Sequence, residues 1–279
     1  MIRPEFLAIL RCPVCCTDAT ALHVAGLREP SLACDCGAMF PIVDGIPDVM
    51  PHRVGEPAKN YRTETLDNVL AGTYDLLMPL MSATAWRCDP LHFVDWANMA
   101  LGRAQGGFHL SLPISTANIL RHSWGPHLDL QVVAVDSSWE MLHRAKRRLR
   151  RAKIDALLIR ADVERLPFKN GTFASILSVN GLHTFDNRAY GLAELFRVAR
   201  EGGTLAGSTL IRDQGRFAEW VLDRYEHYGL SPMLRGKHFV CSELAELGGK
   251  VSYESYGAVL FFAVEKLAET SAQHPSRLH

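Results

Sequence analysis

Cys12-Pro13-Val14-Cys15 and Cys34-Asp35-Cys36 are the first residues of this 279-residue chain whose spacing suggests chemistry. Two cysteine knuckles 18 residues apart can present four thiolates to one ion, and a tetrahedral four-thiolate set suits Zn2+. Five of the seven cysteines precede residue 37. An odd, clustered set points to metal rather than to a disulfide framework. Cys12, Cys15, Cys34 and Cys36 are therefore the candidate ligands. Four thiolates leave no open coordination position, so such a site is structural, adding folding energy to a segment too small to bury its own core. The alternatives left open are free thiols and a former site that no longer binds.

A second set of residues lies further on. Val132 to Val135 is an apolar strand ending in Asp136, and Ser137-Ser138 opens the next helix. A carboxylate at the carboxyl end of a sheet strand can accept from both hydroxyls of a ribose, although Asp or Ser opening a helix is also an ordinary cap. Three further stretches are signals of the same kind: Arg160-Ala161-Asp162-Val163 and Ser178-Val179-Asn180-Gly181-Leu182-His183 at strand ends, and Glu201-Gly202-Gly203 as a turn between helix and strand. His183 is the first candidate general base, because it follows a strand at the edge where ligands bind. His109 and Tyr74 are the others. A lone histidine is also commonly a packing residue.

The elements that must position these residues are legible in the hydrophobic pattern. Short strands around 21–24, 31–33 and 39–42 follow a helical turn at Phe6 to Leu10, and 43–47 reads as a turn. From 58 to 103, Leu66, Val69, Leu70, Leu76, Leu77, Leu80 and Met81 recur at helical spacing, and Pro79 and Pro90 predict breaks. Beyond 106, strands at 108–112, 131–135, 156–159, 174–179, 204–210, 251–256 and 258–264 alternate with helices at 139–153, 188–200 and 217–228. Such alternation predicts an α/β fold with a doubly wound, mostly parallel sheet. The expected division is 1–52 for the Cys-rich module, 53–104 for a helical cover, 105–266 for the sheet domain and 267–279 for a disordered tail.

Composition excludes whole classes of function. Lys plus Arg and Asp plus Glu are 30 each, hydrophobic residues are 48% and charged residues 22%. Such a chain builds a globular core and has no overall positive charge for nucleic acid. The basic run from Arg144 to Lys153 is the local exception. It is read as a solvated helix face, with RNA contact as the alternative. The longest apolar run, Gly257 to Val264, is strand length, well below the roughly 20 residues of a membrane helix. Pro4 and Glu5 interrupt the apolar stretch a signal peptide needs, so a cytoplasmic location is expected. Whether the chain forms an oligomer is left open.

Two resemblances sharpen this reading. The CPxC knuckle, Cys36-Gly37 ahead of Phe40-Pro41, and Asp44-Gly45-Ile46-Pro47 resemble the small zinc-binding proteins that activate tRNA and protein methyltransferases, over roughly residues 5 to 51. That family has CxxCG at the second knuckle. Here it is CxCG, with Ala33 at the expected third ligand and Cys16 available to compensate. Over roughly 105 to 265, Val135-Asp136, Asp162 with Leu166-Pro167-Phe168, and Gly202-Gly203 resemble class I S-adenosylmethionine-dependent methyltransferases, above all the ubiquinone and menaquinone C-methyltransferase group. The resemblance implies a Rossmann-like seven-stranded sheet and S-adenosylmethionine as cofactor. Asp136 and Ser137 would then meet the ribose, Asp162 and Val163 the adenine, and Asn180 and Leu182 the cofactor near its methyl.

The cofactor loop departs most from that family. Its relatives carry an acid and two glycines where this chain has Ser111, Ser115 and Ala117 around Thr116. Glycine there permits positive φ and close backbone approach. The activity implied is methylation of a small organic molecule at oxygen or carbon. The alternatives are an rRNA or tRNA methyltransferase, and a catalytically inactive scaffold on a methyltransferase fold. No Asn/Asp-Pro-Pro-Tyr/Phe follows Ser178, which argues against exocyclic-nitrogen acceptors.

Overall fold

The computed structural model describes residues 2–17, 22–26, 29–50, 73–104, 106–123, 130–228 and 234–268. The N-terminal elements are helix α1 (Pro4–Ala8) and strands β1 (His23–Ala25), β2 (Ser31–Ala33), β3 (Met39–Val43) and β4 (Ile46–Pro47), which form an antiparallel four-stranded sheet in sequence order. The turn expected at 43–47 is the β3–β4 reversal, with Asp44 and Gly45 at φ 51° and 75°.

Two helices follow, α2 (Tyr74–Thr84) and α3 (Leu91–Gly102). Pro79 was expected to break the first, yet it lies inside α2, while Pro90 caps α3 as its pattern predicted. A proline inside a helix removes one backbone bond, at about 3 kcal/mol. Met78, Met81 and Trp86 packed against the body offset that loss. The expected helical residues 58–72 and the expected tail from 269 lie outside the described residues.

The second sheet contains β5 (Gly107–Ser111), β6 (Leu130–Asp136), β7 (Ala156–Arg160), β8 (Phe173–Ser178), β9 (Ala199–Arg212), β11 (Lys250–Tyr256) and β12 (Val259–Glu265). Its order is β11-β12-β9-β8-β5-β6-β7, and a two-residue strand β10 (Arg235–Gly236) pairs with β9. β5 to β9 are parallel and β12 runs antiparallel between β9 and β11. The helices are α4 (Asn118–Ser123), α5 (Trp139–Arg151), α6 (Arg188–Val198), α7 (Arg216–His227) and α8 (Lys237–Ala245). The α/β doubly wound expectation holds. The pattern did not anticipate α8 or β10. Glu201-Gly202-Gly203, expected as a turn, is a bulged start of β9 with Gly202 at φ 69°.

Local sequence explains α5, which carries the basic run. The Ser138 hydroxyl accepts from the Met141 amide, capping the N-terminus. Met141, Leu142, Ala145 and Leu149 then face inward, while Arg148, Arg150 and Arg151 end the helix where its dipole favours cations. β6 and β8 are buried on both faces, as a central parallel strand requires.

The Cys-rich module does not have a core of its own. Phe6, Leu10, Leu32 and Phe40 join one hydrophobic cluster with Val133, Ile159 and Phe173 of the large sheet and with Phe168 of the segment before β8. Backbone bonds sew the two together: Val49 N–H to Arg160 O (2.9 Å), Arg11 N–H to Pro167 O and Lys169 N–H to Ile9 O (both 3.0 Å). The module thus continues the large sheet at its β7 edge, covering hydrogen-bonding groups an edge strand would otherwise expose.

Candidate active site

A cleft of about 750 Å3, counting its open mouth, lies at the carboxyl ends of β5 and β8 beneath α2. This is where ligands bind in open parallel sheets. Its floor is Ser111, Pro113, Ser115, Thr116 and Asn180; its roof is Tyr74, Met78, Trp86 and Phe93. The small residues Ala97 and Ala100 of α3 pack on Leu177, Ala206 and Ala263 and bring the cover close to the sheet. Gly181 is required at the floor. A Cβ there would meet Ser178 Oγ at 2.4 Å and Pro113 Cδ at 2.7 Å.

The loop after β5 retains the backbone that glycines would have allowed. Ser115 has φ 50° and Ala117 φ 57°. For an ordinary residue each costs roughly 1–2 kcal/mol. The Ala117 side chain packs into the core with Leu120, Leu142 and Ala145, away from the cleft. Ser115 does line the cleft, with its hydroxyl 3.8 Å from Met141 Sδ. The Ala117 methyl group therefore stays out of the cleft, while the Ser115 side chain forms part of its wall.

Asp136 is buried and organises the loop. Its Oδ2 accepts from the Ser115 amide (2.8 Å) and its Oδ1 from the Ser138 amide (3.0 Å). Burial pushes its carboxyl up to about 6, and the amides of Ser138, Ser115 and Ser137 only partly oppose this. On the adjacent strand end Asp162 caps a short 3-10 turn, Oδ1 accepting from Glu164 N–H at 3.0 Å, and Val163 begins that turn. Asn180 (φ 50°) is pinned by Ser208, whose hydroxyl donates to Asn180 Oδ1 at 3.1 Å.

Of the residues singled out by sequence, Ser115, Thr116, Asn180 and Tyr74 come together at the cleft. Asp136 lies behind Ser115, bonded to its amide, and Ala117, Ser137, Asp162 and Val163 are likewise not part of the cleft lining. Leu182 is fully buried in the core. The structure does not bring His183 to the cleft. It is 6% exposed, and its Nδ1 accepts from the Leu210 amide at 3.2 Å. Burial, with the Arg188 charge, pushes its pKa down to about 3. His109 is buried within β5 against Ser175 (2.8 Å). Replacing His183 by glutamine is expected to lower the melting temperature and leave ligand affinity at the cleft within about twofold, read by thermal unfolding and calorimetry.

Two sets of residues went unnoticed in the sequence. Asp75 of α2 accepts from the Thr116 hydroxyl (2.6 Å) and pairs with Arg148, whose other Nη donates to the Thr116 carbonyl (2.7 Å). Arg160 joins Asp48 of the Cys-rich module (3.1 Å) to the carbonyl of Ser137 (2.8 Å). Arg148 sat inside a basic run that reads as surface. Arg147, Arg150, Arg151 and Lys153 are exposed as a solvated face would be, while Arg144 pairs with Glu140 at 2.7 Å and Lys146 meets the Asp44 carbonyl.

At the other end, Cys12, Cys15, Cys34 and Cys36 converge with all four Sγ within 4.8 Å of one another. Cys12–Cys36 and Cys15–Cys34 are each 3.8 Å apart. A tetrahedron with Zn–S bonds of about 2.3 Å places its sulfurs about 3.8 Å apart, so the cluster has the dimensions of a zinc site. Cys16 stays outside, exposed, donating to the Pro13 carbonyl. The shortened second knuckle is accommodated without it.

Comparison with known proteins fits this geometry. Residues 115–207 match the family described as a methyltransferase domain. Over that stretch the chain is similar to a methyltransferase domain. It is 31% identical over 159 residues to a demethylmenaquinone methyltransferase of Porphyromonas gingivalis, covering 54% of this chain and 61% of that protein. A ubiquinone/menaquinone biosynthesis C-methyltransferase of Desulfotalea psychrophila is 27% identical over 76% of this chain and 81% of its own length. The chain thus spans less than two thirds of the first of these relatives. Among solved structures, a chain in the complex of the Haloferax volcanii Trm112 methyltransferase activator with a methyltransferase superposes with TM-score 0.54 at 16% identity, covering 76% of this chain and all of that one. A Haemonchus contortus phosphoethanolamine N-methyltransferase bound to S-adenosylhomocysteine gives 0.52 at 15%, covering 62% and 52%. These likenesses establish the methyltransferase fold. No helix among the described residues is long and apolar enough to cross a membrane.

Proposed function

We propose that this chain transfers a methyl group from S-adenosylmethionine to oxygen or carbon of a small organic acceptor. The observation that carries the reading is the loop of Ser115 and Ala117, which holds left-handed backbone against a buried Asp136 despite lacking glycine. When bound, the cofactor supplies an already activated methyl on a sulfonium. The chain's own work is then to position, desolvate and, where the acceptor has a proton to lose, remove it. Asp136 would hold the ribose hydroxyls and Asp162 with Val163 the adenine. Ser115, Thr116 and Asn180 would line the path to the methyl. The apolar and aromatic roof of Met78, Trp86 and Phe93 suits a flat acceptor such as a hydroxylated ring, in keeping with quinone-biosynthetic relatives.

Tyr74 is the phenol at the cleft, and its role would be to orient the acceptor hydroxyl. Tyr74→Phe should then raise KM several-fold with little change in cofactor affinity. Calorimetry with S-adenosylhomocysteine tests the reading first. Micromolar binding supports it, and no binding at millimolar ligand by folded protein overturns it.

The Cys-rich module would hold one structural Zn2+. Support comes from the sulfur spacing. Burial pushes the Cys12 thiol up to about 12, so metal binding would have to displace its proton. The module would act in cis as an activator-like subunit, seated on β7 through Val49 and Arg160.

A further inference from the structure

The loop 114–117 bears two strained residues flanking Thr116, and backbone bonds secure only its ends. Ile114 N–H reaches Val135 O at 2.8 Å and Ala117 N–H reaches Ile114 O at 2.9 Å, while Ser115 N–H donates to the Asp136 carboxylate at 2.8 Å. The apex is held by side chains from elsewhere in the chain. Thr116 is 1% exposed, and its hydroxyl and carbonyl are both engaged, one by Asp75 and the other by Arg148. Asp75 and Arg148 also pair with each other, so the three residues close a triangle. One corner is on the cover helix α2, one on the loop, one on α5.

We propose that Asp75 and Arg148 are positioning residues that clamp Thr116 and so hold the loop in the conformation its relatives obtain with glycine. This rests on the methyltransferase reading for its ligand, though the clamp itself can be tested without one. Strained backbone persists only where surrounding structure over-determines it, and this triangle supplies that constraint. Burial would raise the Asp75 carboxyl, but hydrogen bonds from Arg148 and Thr116, with the nearby Arg144 charge, outweigh it and hold it below the usual range. The acid therefore stays charged, and its bonds to Thr116 and Arg148 are charge-assisted. Because Asp75 sits on α2, seating the cover helix and shaping the cofactor loop become one event. The acceptor roof and the cofactor floor are then energetically coupled.

A merely structural pair would fasten α2 to the body and ignore the loop's conformation. A mutant cycle separates the two. Asp75→Asn and Thr116→Val are made in the natural chain and in a chain carrying Ser115→Gly and Ala117→Gly, where the backbone needs no clamp. Affinity for S-adenosylhomocysteine is read by calorimetry, stability by denaturant unfolding. Each substitution is expected to weaken binding about tenfold in the natural chain, and twofold or less in the glycine background. Equal losses in both backgrounds overturn the clamp. If the natural chain binds no S-adenosylhomocysteine, the methyl-transfer reading fails. The unfolding cycle still decides the clamp: a smaller loss of stability on glycine supports it, and an equal loss overturns it. Should the double-glycine chain not fold, Ser115→Gly alone serves as the background.

Discussion

Asp136→Ala is expected to weaken S-adenosylhomocysteine binding at pH 8 by about 100-fold or more. A hydrogen bond to a charged group contributes about 1.5–3 kcal/mol, and a ribose offers two hydroxyls. The same substitution frees the Ser115 amide, which Asp136 holds at 2.8 Å. Loop and ligand therefore lose their common anchor together. Calorimetry measures the loss, with thermal unfolding to show that the variant folds. A loss below threefold would remove Asp136 from the site.

Its pH dependence follows from burial. The carboxyl titrates near 6 in the folded protein, raised from 3.8. A ligand that needs the ionised form binds progressively more weakly below that pH, about tenfold per unit once the acid is protonated. Stability moves the other way. A raised carboxyl favours the folded state fully below its unfolded pKa, and that contribution is lost as pH rises through about 6. Going from pH 7 to pH 4, the free protein gains stability from Asp136 while the site loses affinity. Asp136→Asn, which cannot titrate, should flatten both trends. Differences between natural and variant profiles isolate this residue from the histidines.

The second large effect concerns the four cysteines. The purified protein is expected to contain one zinc per chain by elemental analysis, and Cys12→Ser or strong chelation should lower the melting temperature by about 10 °C or more. Structural zinc in small domains contributes on the order of 10 kcal/mol, and each kcal/mol is about 2–4 °C in a domain of 150–250 residues. The loss should not stay local. Phe6, Leu10, Leu32 and Phe40 share a core with Ile159, Phe168 and Phe173, and Asp48 holds Arg160. Hydrogen exchange at Val49 and Lys169 should quicken with that of β7. A zinc-free protein whose Cys12→Ser variant melts within about 2 °C would dispose of the metal.

Sequence alone determined the strands of the large sheet other than β10. The apolar runs of β6 and β8 have one low-energy use, a strand buried on both faces. The amphipathic pattern of α5 likewise leaves one face for the core. The strand-end positions of Asp136, Asp162 and Asn180 followed from those elements, because a residue's place at a sheet edge is a local property. The cysteine cluster was legible for the same reason: each knuckle is a short-range pattern. Cys34 and Cys36 could still be read as out of step with the usual knuckle, since spacing does not say how a loop curls.

Only the tertiary structure decided the rest. Whether the loop without glycine keeps left-handed backbone depends on Asp75, 41 residues before Thr116, and on Arg148, 32 residues after it. No local pattern marks such partners. His183 was read as facing the site because of its edge position, but it is buried and bonded to the Leu210 amide. The Cys-rich segment, read as a separate module, shares a hydrophobic core with the sheet. Burial is a sum over contacts between distant segments. A strand's own alternation does not record which surface its apolar face will meet, and that choice is made only when the whole chain packs.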